Sequence, residues 1–422
     1  MSGGNRVTKP TSWALVLALT SAGITVAVQV GKAVAALPAV TADLRLSLTS
    51  GSWVLSAVSI AGALGGLALG AVIDRIGHRR ALLAGLLLTA AGSGIGAFAE
   101  NVSVLLLSRL GEGVGFTATA LSVPPLLVRI SAPGQRGIVL GLWSAFIPAG
   151  TGVTTLVGPW LIDAIGWRGL WLLAATLPVL VAAFLVPTTR SLSTTAPNTH
   201  PARRESIRAV LKSRGILFAT VVFASYSAQF LAVFGFLPTL LTRQGALPPK
   251  TAAILTATAI LVNIPGNILG GFLRGRGVPR WVLIGAASAV MAASAFAIYA
   301  TGTPLALRYA GSLALSFAGG MIPSTLFAAA PELAPRPDAA AATVGALLQG
   351  STLGQTLGPP ALAALTTAFG WQSSPILLAF AATLAAGLGI ALHRSIGFPR
   401  KRHDPIVNHP PECHSAPTPR SP

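Results

Sequence analysis

Only 9% of the 422 residues are charged and 6% are aromatic, and there is a single cysteine, Cys413, close to the end of the chain. One cysteine excludes a disulfide framework and a cysteine-based metal site. No glycine-rich loop ends in Gly-Lys-Ser/Thr, so the chain carries no phosphate cradle of its own for an ATP-driven pump. No His-Glu-two residues-His motif is present, and no histidine lies deep in an apolar run (His393 is at an end), so an intramembrane enzyme would lack its catalytic set. With 53% hydrophobic residues and a mean hydropathy of +0.72, a water-soluble globular domain is excluded as well. The formal charge of +19 raises the question of nucleic acid, but such a ligand needs basic residues clustered on one solvated face. Here they fall between apolar blocks.

Those blocks run for twenty residues or more, the length needed to cross a bilayer as a helix. Breaking them at charges, proline and glycine predicts an all-α membrane protein of twelve spans: 13–38, 51–73, 80–99, 102–128, 137–161, 168–187, 215–241, 251–273, 280–300, 304–330, 338–366 and 372–393. Arg6 and Lys9 before the first block imitate a signal peptide, but the run from Trp13 to Val40 is too long for one and is read as a span. With the N-terminus inside, nearly all Lys and Arg lie on the cytoplasmic side. The outer loops keep only Arg45, Arg168, Arg243 and Lys250. That asymmetry places both termini in the cytoplasm and the chain in the cytoplasmic (inner) membrane.

One connection is long and polar, residues 188–214, with Arg190, Arg203, Arg204, Arg208, Lys212 and Arg214. It divides the chain into six spans over 1–187 and six over 215–393, followed by a tail, 394–422, with a disordered composition. The tail's His403, His409, Cys413 and His414 could hold a transition metal, but incidental histidines explain them better, and neither a metal nor another cofactor is assigned. The two halves repeat at an offset of about 200 residues: Gly70, Gly77 and Arg80 recur as Gly270, Gly277 and Arg280, and Gly150 and Gly158-Pro159 as Gly350 and Gly358-Pro359. Parallel six-span halves of this kind bind a solute where they meet.

The densest polar signal is the loop Gly70-Ala-Val-Ile-Asp74-Arg75-Ile-Gly77-His-Arg79-Arg80 between the second and third spans. Asp74 could accept from the first N–H groups of the next helix or pair with an arginine. The second-half counterpart lacks the acid, with Arg274 opposite Asp74, so a charge-relay gate would rest on the first loop. This loop resembles the signature between helices 2 and 3 of the major facilitator superfamily of secondary transporters. The resemblance spans 13–393 and implies two pseudo-symmetric six-helix bundles that rock around a midplane site lined by helices 1, 4, 7 and 10. Gln29-Val-Gly31-Lys32, Leu37-Pro38, Asp43-Leu44 and Leu46-Ser47 are loosely similar to the cyanate- and nitroimidazole-type permease branch. The arginine and glycines of Arg109-Leu-Gly111-Glu112-Gly113 resemble the family's fourth-helix motif, whose arginine is implicated in coupling. The fifth span matches the family's antiporter motif only in part, because Thr154 and Ile162 replace glycines.

A charge inside a span costs about 2.5–3.5 kcal/mol on insertion scales, so intramembrane polar residues point to function or to one another. Gln29 and Lys32 are one turn apart on the first span, and Lys32 either faces a cavity or snorkels to the headgroups. Arg109 and Glu112 share a face of the fourth, as a self-neutralising pair or a proton site. Tyr226 with Gln229, Asn263 with Asn267, and Gln349 with Thr352 and Gln355 are further substrate candidates, or plain interhelical hydrogen bonds. Arg308 is read as snorkelling. Together these residues predict a monomeric transporter of a small-molecule solute, with no nucleic-acid partner. The first reading is an organic anion attracted by Lys32 and Arg109, with protons coupled through Glu112. The alternative is a proton-driven exporter of lipophilic compounds.

Overall fold

The computed structural model describes residues 10–192, 207–336 and 339–395, and every regular element among them is helical. The first half contains α1 (Trp13–Asp43), α2 (Leu48–Ile76), α3 (His78–Ala97), α4 (Val102–Ile130), α5 (Arg136–Ser144) and α6 (Phe146–Thr188). The second contains α7 (Arg214–Arg243), α8 (Pro249–Leu261), α9 (Asn263–Gly275), α10 (Arg280–Tyr299), α11 (Leu305–Leu333), α12 (Ala340–Phe369) and α13 (Ser374–Ser395). Among the described residues ten segments are long and apolar enough to cross a bilayer, one of them the 56 residues from Pro133 to Thr188. That segment turns back on itself at Gly166, whose φ of 72° suits glycine and few other residues. With the more polar α12 added, the arrangement is consistent with twelve crossings. The tail histidines, Cys413, Arg203 and Arg204 lie outside the described residues.

Two expected spans are each built from two helices, and proline is the reason. Pro148 has no N–H to give the Ser144 carbonyl, and α5 stops at Ser144. Pro265 likewise cannot bond to Leu261, where α8 stops. The two broken spans meet across the halves: a Cβ on Gly152 would lie 2.7 Å from Leu261.

The glycine repeat has a packing cause. A Cβ on Gly350, Gly354 or Gly358 of α12 would stand 2.4, 2.0 and 2.3 Å from the carbonyl oxygens of Thr220, Ala224 and Ala228 on α7. In the first half Gly150 of α6 is as close to Ile24 of α1, at 2.4 Å. Each half therefore seats its fifth span against its first, backbone on backbone.

The halves touch mainly through α2 against α12 and α6 against α8. At the end away from the Gly70–Arg80 loop they share one apolar cluster, with Leu37 and Leu55 from one side and Phe236 and Leu362 from the other. The Lys250 ammonium sits 2.8 Å from Asp163 across the same seam.

At the loop end, Gly77 (φ 89°) both closes α2 and opens α3, and no side chain caps α3. Asp74 faces His78 Nε2 at 3.3 Å, and Arg79 donates to Thr189 Oγ1 (3.0 Å) and the Val186 carbonyl (2.8 Å), tying the loop to the end of α6. The second half does not go without an acid. Glu332 on α11 accepts from Arg274 (3.0 Å) and Arg280, so the counterpart of the loop carboxylate comes from a distant stretch of chain.

Candidate functional site

Lys32, Arg109 and Glu112 converge inside the first half, each 0% exposed. Helix α4 presents Arg109 and Glu112 one turn apart, and their side chains pair directly. Helix α1 brings Lys32, whose Nζ donates to the other carboxylate oxygen at 2.7 Å and to Ser93 Oγ of α3 at 2.6 Å. Ser93 in turn donates to the Trp171 carbonyl (2.7 Å), and the Lys32 ammonium lies 4.6 Å from the Trp171 ring. Arg109 also donates to the backbone carbonyls of Gln29 (2.8 Å) and Val54 (3.1 Å), reaching α1 and α2. Gln29 itself is held by the Ala174 carbonyl at 3.0 Å.

Close approach makes this possible. A Cβ on Gly92 would stand 2.7 Å from the Glu112 nitrogen, and one on Gly113 would stand 2.2 Å from the Val58 carbonyl oxygen. Glycine at both places lets α2 and α3 close around α4 and exclude water from the carboxylate. A charge cluster this dry is held together only because each ion satisfies another.

The placement corrects two expectations. Lys32 neither snorkels nor faces the seam between the halves; its ammonium points into the first bundle, among α3, α4 and α6. Arg308 is 8% exposed rather than reaching for headgroups, and donates to Gln244 at 2.7 Å. Its donors find a nearer acceptor at the end of α7.

The seam holds a different environment. A narrow cavity with a free volume of about 20 Å³, about the room of one water, lies between α2, α4, α6 and α12. Gly62, Phe116, Thr117, Phe146, Gln349 and Thr352 are among the residues around it, and none of the described residues that line it is charged. Gln349 Nε2 donates to the Ala63 carbonyl (2.9 Å), and Gln355 Oε1 accepts from Ser59 (3.0 Å). Both amides therefore bridge α12 to α2.

Of the other expected residues, Asn263 donates to Tyr226 Oη (3.1 Å) and the Ser316 carbonyl (2.8 Å), and Asn267 donates to Asn263, forming one neutral network inside the second half. Gln229 stays apart from it, its amide turned back to the Ser225 carbonyl of its own helix at 3.1 Å. Sequence reading missed Ser93, Trp171, Phe116 and Phe146. Ser93 carried a detectable signal as a hydroxyl between glycines in a span, whereas the aromatics looked like ordinary core.

The sequence that builds these two helical halves matches the Major Facilitator Superfamily over residues 14–349. The chain belongs to this family of transporters. Among curated proteins it is 33% identical to the puromycin resistance protein of Streptomyces alboniger over 153 residues, covering 36% of this chain and 30% of that one. It is 27% identical to the tetracenomycin C resistance and export protein of Streptomyces glaucescens over 173 residues, 41% and 32% of the two chains. The match thus spans about a third of each relative's length. Among solved structures, a bacterial homologue of the human lysosomal transporter Spinster superposes with a TM-score of 0.69 in its unoccupied inward-facing form, at 18% identity, over 91% of this chain and 94% of that one. Its occupied form gives 0.70 at 19% identity, over 92% and 95%. At such identity the likeness is one of fold.

Proposed function

We propose that this transporter exchanges protons for a small, largely apolar organic solute by alternating access, with the loop end of the molecule in the cytoplasm. Charge and cavity stand apart yet share two helices, and this observation carries the reading. Glu112 and Phe116 are four residues apart on α4, about 6 Å along the axis, so the proton group and the cavity wall move together. Helix α2 repeats the link, offering the Val54 carbonyl to Arg109 and Gly62 to the cavity.

Protonating Glu112 removes the negative charge shared by Lys32 and Arg109 and weakens the ion pair that ties α1 to α4. Closing the cavity around a solute restores that pairing and favours the carboxylate. Solute and proton then compete through the helices without touching. The names of the two curated relatives, a resistance protein and a resistance and export protein, support export as the direction.

An anionic solute is the second reading. It is favoured by two cations facing one carboxylate, and by an Arg109 Nη2 that is buried without a partner.

Ligand-induced thermal stabilisation of the purified protein separates the readings, since only a bound ligand raises the melting temperature. The uncharged 4-phenylbutanamide is expected to stabilise it, and 4-phenylbutyrate is not. Stabilisation by the carboxylate alone overturns the proposal in favour of the anion.

A further inference from the structure

We propose that the cavity selects solutes that bring a hydrogen-bond donor, an N–H above all, and that Gln349 is the residue that reads it. The inference rests on the function proposed above and concerns the same cavity.

The hydroxyl hydrogens of the two threonines at the wall are already engaged. Thr117 donates to the Gly113 carbonyl (2.8 Å) on its own helix. Thr352 donates to the carbonyls of Leu348 (3.2 Å) and Gln349 (3.0 Å), again within its own helix. Ser351 is joined to Ser227 (2.8 Å) and accepts from Gln355 (3.1 Å). What the threonine hydroxyls leave over is lone pairs.

Gln349 differs from them. The Ala63 carbonyl can only accept, so the face of the Gln349 amide turned toward it must be the nitrogen. Its orientation is thereby fixed, and Oε1 is left shielded from water with no partner. An unsatisfied carbonyl oxygen at a wall that also carries Phe116 and Phe146 is an unmet demand for a donor. Once the halves part and the cavity widens beyond the room of one water, a solute amide or ammonium N–H meets it, while the rings take the apolar body. Gly66 makes room: a Cβ there would stand 3.3 Å from Gln349 Cβ.

The test uses matched probes on the full-length protein. 4-Phenylbutanamide carries N–H groups, and N,N-dimethyl-4-phenylbutanamide carries none. The first is expected to bind about three- to tenfold more tightly, the range of one hydrogen bond. Gln349→Leu should bring the two together, and Gln349→Glu should favour 4-phenylbutylammonium over the amide.

Circular dichroism and the melting temperature without ligand check that the variants fold. If Gln349→Leu does not, Gln349→Met serves in its place. Equal affinity of the parent for the two amides, or a preference that survives the loss of Gln349, overturns the inference while leaving the uncharged-solute reading in place. Failure of every N–H probe alongside binding of 4-phenylbutyrate overturns both.

Discussion

At the scale of single residues, three ions share one dry site, and their removal is not symmetric. Lys32→Met leaves the Arg109–Glu112 pair intact and neutral. Glu112→Gln leaves two cations facing each other with no acceptor charge. A broken buried pair costs about 3–5 kcal/mol, so Glu112→Gln should lower the melting temperature far more than Lys32→Met, as differential scanning fluorimetry would report. Equal losses would mean that the carboxylate does not hold both cations. Because Lys32 pairs with Glu112 whatever the solute, its loss does not by itself separate an anion carrier from an exporter. The sequence made the Arg109–Glu112 pair visible, since three residues on a helix share a face. It could not reveal Lys32 as the third member, because nothing in a single sequence says which side of α1 turns toward α4. Gln349 was legible as polar and intramembrane, but the direction of its amide depends on the Ala63 carbonyl, a contact between the halves.

At the scale of helices, glycine separates positions of close approach from idle ones. Gly354→Ala places a methyl 2.0 Å from the Ala224 carbonyl oxygen and must part α7 from α12. Gly271→Ala meets nothing within 4 Å on an exposed stretch of α9. The first should destabilise by about 1–3 kcal/mol, and the second should stabilise by about 0.5–1 kcal/mol. Thermal denaturation of the two variants measures both, and a neutral Gly354→Ala would show that the helices are not in backbone contact. The repeat of glycines at 150, 158, 350 and 358 was legible, but the backbone contacts it permits were not. The breaks before Pro148 and Pro265 could have been read from proline chemistry, yet the apolar runs continue through them and concealed the division of each span into two helices. Glu332 was missed for a different reason: it reaches Arg274 and Arg280 from some fifty residues away.

At the scale of the whole molecule, one end of the seam is shut by an apolar cluster and the Lys250–Asp163 pair, while the cavity sits nearer the other end. An exposed ion pair is worth about 1 kcal/mol at most, which is enough to bias two states that differ by little. Asp163→Lys sets two cations against each other and should favour opening. In a Cys413→Ser background, a cysteine at Phe236, fully buried in the shut cluster, should react with a maleimide about fivefold faster when Asp163→Lys is present. An unchanged rate would show that the pair does not hold the seam.

Coupling between the carboxylate and the cavity is the claim on which the rest depends. It is tested most directly by the protons set free when an uncharged ligand binds. In weakly buffered solution, with a pH-sensitive dye, 4-phenylbutanamide has no proton of its own to give. The parent protein should release protons as the probe binds, at most one per molecule. Glu112→Gln should bind the probe more weakly and release none. Release of the same size in that variant, or none from the parent at any pH while the probe binds, would contradict the account.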